Sequence, residues 1–149
     1  MTQYVYIASP NRLPQGTFGL NPISTKQPNI FDSELDFVYL YFENNYDEKL
    51  KQKFSYSPYF SFNYQVATYS NYMPLKLELK GTAEEGKVLD ILYSYLEKAV
   101  QSSGIVEYFT SLNGKEDLGV SLRREVRWIE IKTSYDLVLK DREFWVITQ

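Results

Sequence analysis

The chain has no histidine and no cysteine among its 149 residues, and each absence removes a class of chemistry. Without thiols there is no disulfide framework, no thiolate nucleophile and no cysteine-based zinc site. Without imidazole, the commonest general base and the usual transition-metal ligand are missing. Serine–histidine and cysteine–histidine catalysis are excluded outright. Long apolar runs are lacking too, and none approaches the roughly 18 residues of a membrane span. Met1-Thr2-Gln3-Tyr4 carries no basic region leading into an apolar stretch. No Asn-x-Ser/Thr sequon occurs. A net charge of −3 gives no broad attraction for nucleic acid or a membrane surface. Cytoplasmic residence is the default expectation.

Ring side chains are what the chain has in surplus: 14 Tyr, 9 Phe and 2 Trp. Tyrosine packs its ring while leaving its hydroxyl at water, which suits half-exposed strands, rims and interfaces. The length fits a single domain, 1–149, and no repeat, low-complexity tract or linker divides it.

Local patterns predict mostly strands. Tyr4–Ala8 is aromatic and β-branched, Leu35–Phe42 is apolar on both faces, and Ile105–Ser111, Arg123–Lys132 and Leu137–Thr148 read as three later strands. Lys140-Asp141-Arg142 interrupts the last as a bulge or tight hairpin. Phe60–Thr68 and Leu75–Leu79 alternate with polar residues and read as a hairpin through Ser70–Pro74. Tyr46, Leu50 and Phe54 recur every four residues, as in a short helix. The best-defined element opens at Thr82, with Glu85 at capping-box spacing. It continues through Val88, Leu89, Leu92, Tyr95, Leu96, Ala99 and Val100 on one face, with Asp90, Ser94, Glu97 and Gln101 on the other, to a stop at Gly104. The predicted fold class is α+β: a curved, mostly antiparallel sheet of about six to seven strands, one long amphipathic helix packed on a face and one short helix.

Two motifs imitate ligand sites. Gly81 to Lys87 has the spacing of a phosphate-binding loop, but Val88 stands where the magnesium hydroxyl belongs, and Glu84 and Glu85 would repel phosphate. The capping box accounts for the same residues. Glu43, Asn45 and Asp47 start like a calcium loop, but its sixth and twelfth positions are Glu48 and Phe54. No metal and no cofactor is expected.

Binding candidates come from two places. The irregular segment Ser9–Asp32 is rich in proline, glycine and asparagine, and loops of such length carry function. Within it, Arg12 is a candidate anion anchor and Phe18 a loop aromatic that must pack or bind. The cluster Arg124, Arg127 and Trp128 could grip a phosphate, a carboxylate or a partner surface. Cross-strand ion pairs around Glu125 and Glu130 are its ordinary alternative. Glu107, Glu125 and Glu130 are the carboxylates available for histidine-free glycoside hydrolysis.

The balance favours a non-enzymatic binding or protein-interaction domain. Its partner would be another protein, as in an immunity protein or inhibitor facing a toxin, or a second copy of itself. The alternative is a carboxylate-dependent enzyme acting on a sugar or phosphorylated small molecule, which needs a pocket with two convergent ionisable groups.

Overall fold

In residues Gln3–Ser9, strand β1, Val5 and Ile7 point to one side while Tyr4, Tyr6 and Ala8 point to the other, and all five are buried. A strand buried on both faces belongs inside a sheet with cover on each side. The computed structural model, which describes residues 2–24, 26–27, 29–33, 36, 38–44 and 57–149, places it there. The other strands are β2 (Gly16–Gly19), β3 (Tyr39–Asn44), β4 (Tyr64–Thr68), β5 (Ile105–Leu112), β6 (Leu122–Arg127) and β7 (Glu143–Thr148). They form one open sheet in the order β2-β3-β4-β1-β5-β7-β6. Every pairing is antiparallel except β6 with β7. The chain is α+β, as its pattern predicts.

Helix α1 (Ala83–Ser103) covers one face. Its start is the predicted capping box: the Glu85 amide donates to Thr82 Oγ1 at 3.2 Å, and the Thr82 amide donates back to Glu85 Oε1 at 2.8 Å. Gly104 ends it in the left-handed conformation at φ 74°. Val88, Leu92, Leu96 and Val100 pack against Val5, Ile7, Leu40, Phe42, Val66, Val106, Trp145 and Ile147. Each fully buried side chain of this kind contributes about 1.5–3 kcal/mol. The second face carries the row Glu43, Ala67, Tyr6, Phe109, Phe144 and Arg123 across six strands. Phe60 closes over it, 6.3 Å from the Phe109 ring and 5.5 Å from that of Phe144.

Several predicted strands are corrected. Leu75, Leu77 and Leu79 form no hairpin partner: 76–78 is a turn, Leu77 is 92% exposed, and the Lys76 amide donates to the Leu139 carbonyl at 2.8 Å. Phe60 and Phe62 precede β4 instead of extending it. The Arg123–Lys132 strand stops at Arg127, because Trp128–Glu130 is a 3-10 turn whose Glu130 carboxylate accepts the Arg127 amide at 2.7 Å. Ser134–Leu137 is a second such turn, and β7 begins only at Glu143. Lys140–Arg142 is the approach to β7, neither a bulge nor a hairpin. Arg142 there takes φ 56°, and its guanidinium donates to the carbonyls of Leu118 and Gly119. Strand β3 is buried on one face only, through Leu40 and Phe42, with Tyr39 and Tyr41 exposed on the other. Leu35, Phe37, the expected Tyr46–Phe54 helix, and Asn45 and Asp47 lie outside the described residues.

The phosphate-loop resemblance resolves into packing. Gly81 turns at φ 77°, and Gly86 lies inside α1, where a Cβ would meet the Tyr135 hydroxyl at 2.9 Å.

Candidate functional site

The segment between β1 and β3 is not wholly irregular, because Thr17 and Phe18 pair with Tyr41 and Leu40 to make β2 the edge of the sheet. Residues 10–22 thus leave the sheet, cross above α1 and return as a strap. Two hydrogen bonds tie the strap to the helix. Asn11 Nδ2 donates to the Ser102 carbonyl at 3.3 Å, and the Tyr95 hydroxyl donates to the Pro14 carbonyl at 2.5 Å. Beneath Pro14, Phe18 packs edge-on against Phe42 and Tyr95, whose own rings stack 3.8 Å apart and nearly parallel.

Strap and helix enclose a cleft of about 400 Å³. This lies within the roughly 300–1,000 Å³ of small-molecule sites. Leu13, Phe18, Ile91, Tyr95 and Ala99 give it an apolar and aromatic floor, and Leu20 and Pro22 extend one wall. Its helical side is built by two rows of fourfold spacing, Ile91-Tyr95-Ala99 and Asp90-Ser94-Lys98-Ser102. The first row is buried and the second exposed. Arg12 stands on the strap side of the rim, with its guanidinium carbon 5.6 Å from the Tyr64 ring centroid.

Charge is unevenly placed along this cleft. Asn11 bonds Ser102, so its neighbour Arg12 sits at the end of the helix that carries Lys98. Asp90 lies eight residues earlier on α1, about 12 Å along the axis. The floor between them is uncharged.

The chain matches no protein-family model, no curated protein and no solved structure. The chemistry of the cleft is read from its own residues.

The structure separates the five binding candidates into two groups. Arg12 and Phe18 line the cleft. Arg124, Arg127 and Trp128 belong to the opposite edge of the sheet, six strand spacings or about 29 Å from β2. There Arg124 lies 5.1 Å from the Trp145 ring centroid and 3.9 Å from a Glu143 carboxylate oxygen. Trp128 packs on Tyr93 of α1 at 4.9 Å, and Arg127 is exposed. The wall residues Ser94, Lys98 and Ser102 were hidden in the sequence because they resemble an ordinary solvated helix face. Their signal is the fourfold row adjoining Tyr95.

The carboxylates are scattered. Glu107 lies on the second face, where one of its oxygens accepts the amides of Ser61 at 2.7 Å and Phe62 at 3.2 Å. Burial raises its pKa, against the lowering effect of those two amides. Glu116 on that face accepts the Tyr6 hydroxyl at 2.5 Å and the Gly114 amide at 3.1 Å. Burial first, and the Glu116 bond second, push the Tyr6 pKa well above its usual value. These bonds pin the 57–62 and 113–120 segments onto the sheet. Glu125 is exposed and Glu130 caps a turn. Among the described residues no three metal-capable side chains gather, and no helix is long and apolar enough to cross a membrane.

Proposed function

We propose that this chain is a binding protein that seats a small molecule with an apolar body in the cleft between strap and α1. The observation that carries this reading is the cleft itself: an apolar floor, a polar rim and a strap tied at two points. Such a floor supplies affinity through buried apolar area, while rim groups fix orientation. Binding without turnover fits the ionisable groups present. Asp90 and Lys98 stand about 12 Å apart along the helix. A glycosidase needs two carboxyl groups about 5–9.5 Å apart, and among the described lining residues Asp90 is the only carboxylate. Glu107, Glu125 and Glu130 line no part of the cleft.

The neutral dye N-phenyl-1-naphthylamine tests this reading, because its fluorescence rises on entering an apolar site. Saturable one-to-one binding is expected, and Ser94→Trp should abolish it, since that exposed rim position can fill the cleft without disturbing the core. No saturable binding, or binding indifferent to Ser94→Trp, counts against the cleft.

A protein partner is the second reading, favoured by the open edge strand β6. Arg123, Arg124 and Arg127 give that edge a positive balance, and Leu122 and Ile129 are exposed beside it. The complementary occupant would be an acidic extended segment added as a further strand. Salt-sensitive binding of an acidic β-forming peptide, lost in a double Arg123→Glu and Arg124→Glu variant, would support this. Salt-independent binding would oppose it.

A further inference from the structure

We propose that two copies of this chain pair through the outer edge of β6, antiparallel and in one register, so that two open sheets join into one. This rests on β6 accepting a further strand and names that strand: β6 of a second copy. Among the described residues β6 ends the sheet, with only β7 beside it. Leu122, Arg123, Arg124, Glu125 and Arg127 are exposed, and only Val126 is buried. Such an edge offers a row of unpaired amides and carbonyls to another strand. Pairing with β7 assigns its faces: Arg123 aligns with Phe144, and Arg124 and Val126 align with Trp145 and Ile147. Arg123, Glu125 and Arg127 therefore share the second face, while Leu122, Arg124 and Val126 share the helix face.

A two-fold axis normal to the sheet keeps each face on its own side, so a residue lies opposite only residues of its own row. With Arg124 on the axis, Leu122 lies opposite Val126 of the second copy and Arg123 opposite its Glu125, and each pairing occurs twice. One pair is apolar and the other is of opposite charge, and both stabilise a ladder. Arg127 falls opposite Ser121, which is neutral and exposed. The two Arg124 side chains meet at the axis. Each already lies 3.9 Å from a Glu143 carboxylate oxygen and over the Trp145 ring, so their charge is offset. Centring on Glu125 instead sets Glu125 against itself and Arg123 against Arg127. Centring on Arg123 sets Arg123 against itself and leaves Glu125 opposite Ser121. Like charges directly opposite destabilise a pair, so the pattern selects the Arg124 register. A uniformly acidic segment on this edge would place a like charge against Glu125, whereas β6 itself does not.

Sedimentation velocity of the full chain at low ionic strength, from low-micromolar to near-millimolar concentration, should show a monomer–dimer equilibrium. Arg123→Glu sets acid against acid at two symmetric positions, and Glu125→Arg sets base against base. Each should weaken the dimer about tenfold or more. Mixing the two variants restores opposite charges at both positions and should recover a heterodimer about as tight as the wild-type dimer. Circular dichroism confirms that each variant is folded. Arg123 also lies over the Phe144 ring at 4.6 Å, so Glu125→Arg, at an exposed residue, carries the test alone if Arg123→Glu does not fold. A wild-type chain that stays monomeric, or a dimer indifferent to Glu125→Arg, overturns self-pairing. A mixture of folded variants that stays monomeric overturns the assigned register. A monomeric wild type that still binds an acidic β-forming peptide overturns self-pairing and leaves the open edge standing; one that binds no such peptide removes both.

Discussion

The Tyr95 hydroxyl donates to the Pro14 carbonyl oxygen at 2.5 Å across 81 residues of sequence, and this contact fixes the height of the strap above α1. The same tyrosine ring lies flat on Phe42 and edge-on to Phe18. One side chain thus joins the helix, the edge hairpin and the strap, and forms part of the cleft floor. Tyr95→Phe keeps the ring and removes the tie. It should lower stability by about 1 kcal/mol and weaken dye binding several-fold as the strap loosens. Urea unfolding read beside dye titration checks both effects.

Glu107 links stability to pH through the second face. Burial holds its folded pKa above that of the unfolded chain, so the folded state keeps its proton to higher pH. The stabilising contribution is therefore fully present at low pH and is lost as pH rises from the ordinary glutamate range through the raised value. In a Glu107→Gln variant the side-chain carbonyl could still accept the Ser61 and Phe62 amides, without any titration. Wild type should gain on that variant as pH falls from neutral towards about 4. Urea midpoints across that range measure the difference.

The α1 cap carries the opposite sign. Amides at Thr82, Lys80 and Gly81 hold the Glu85 carboxyl below its usual pKa, the Thr82 contribution being the largest. Its contribution is present above the unfolded value and disappears as pH falls through the lower folded one. Glu85→Gln should lose its disadvantage against wild type in acid. Thr82→Ala, which removes the neutral half of the box, should cost about 1 kcal/mol, again by urea midpoint.

Two glycines give contrasting outcomes. At Gly86 a methyl would meet only the hydroxyl tip of Tyr135, a half-exposed side chain free to turn away. Gly86→Ala should be neutral or stabilising by up to about 1 kcal/mol, whereas a phosphate-binding glycine would not tolerate it without loss of ligand. At Gly19 a Cβ would fall 2.0 Å from the Phe31 ring. Gly19→Ala should cost about 1–3 kcal/mol through overpacking and weaken dye binding by shifting the edge of the cleft. Thermal melts and dye titrations of both variants check this.

The long helix was legible because burial stamps its period on it, Val88-Leu92-Leu96-Val100, and β1 because Tyr4–Ala8, buried on both faces, is a continuous aromatic and β-branched run. Alternation alone misled at Leu75-Leu77-Leu79, where the residues sit in a short turned segment and Leu77 faces water. It misled again at Phe60, which folds back over the sheet. Strand β2 has four residues, two of them glycine, so neither propensity nor period marked it. Half of the cleft was visible, since an arginine and a phenylalanine in a proline- and glycine-rich segment need a purpose. The helical half was not, because Asp90, Ser94, Lys98 and Ser102 look like a solvated face until the strap is laid across them.

The most direct measurement is an amide NMR titration of the full chain with N-phenyl-1-naphthylamine. Shifts concentrated in residues 9–22 and 90–102 are expected. Shifts confined to the second face or to β6, or none at all, would contradict a ligand seated between strap and helix.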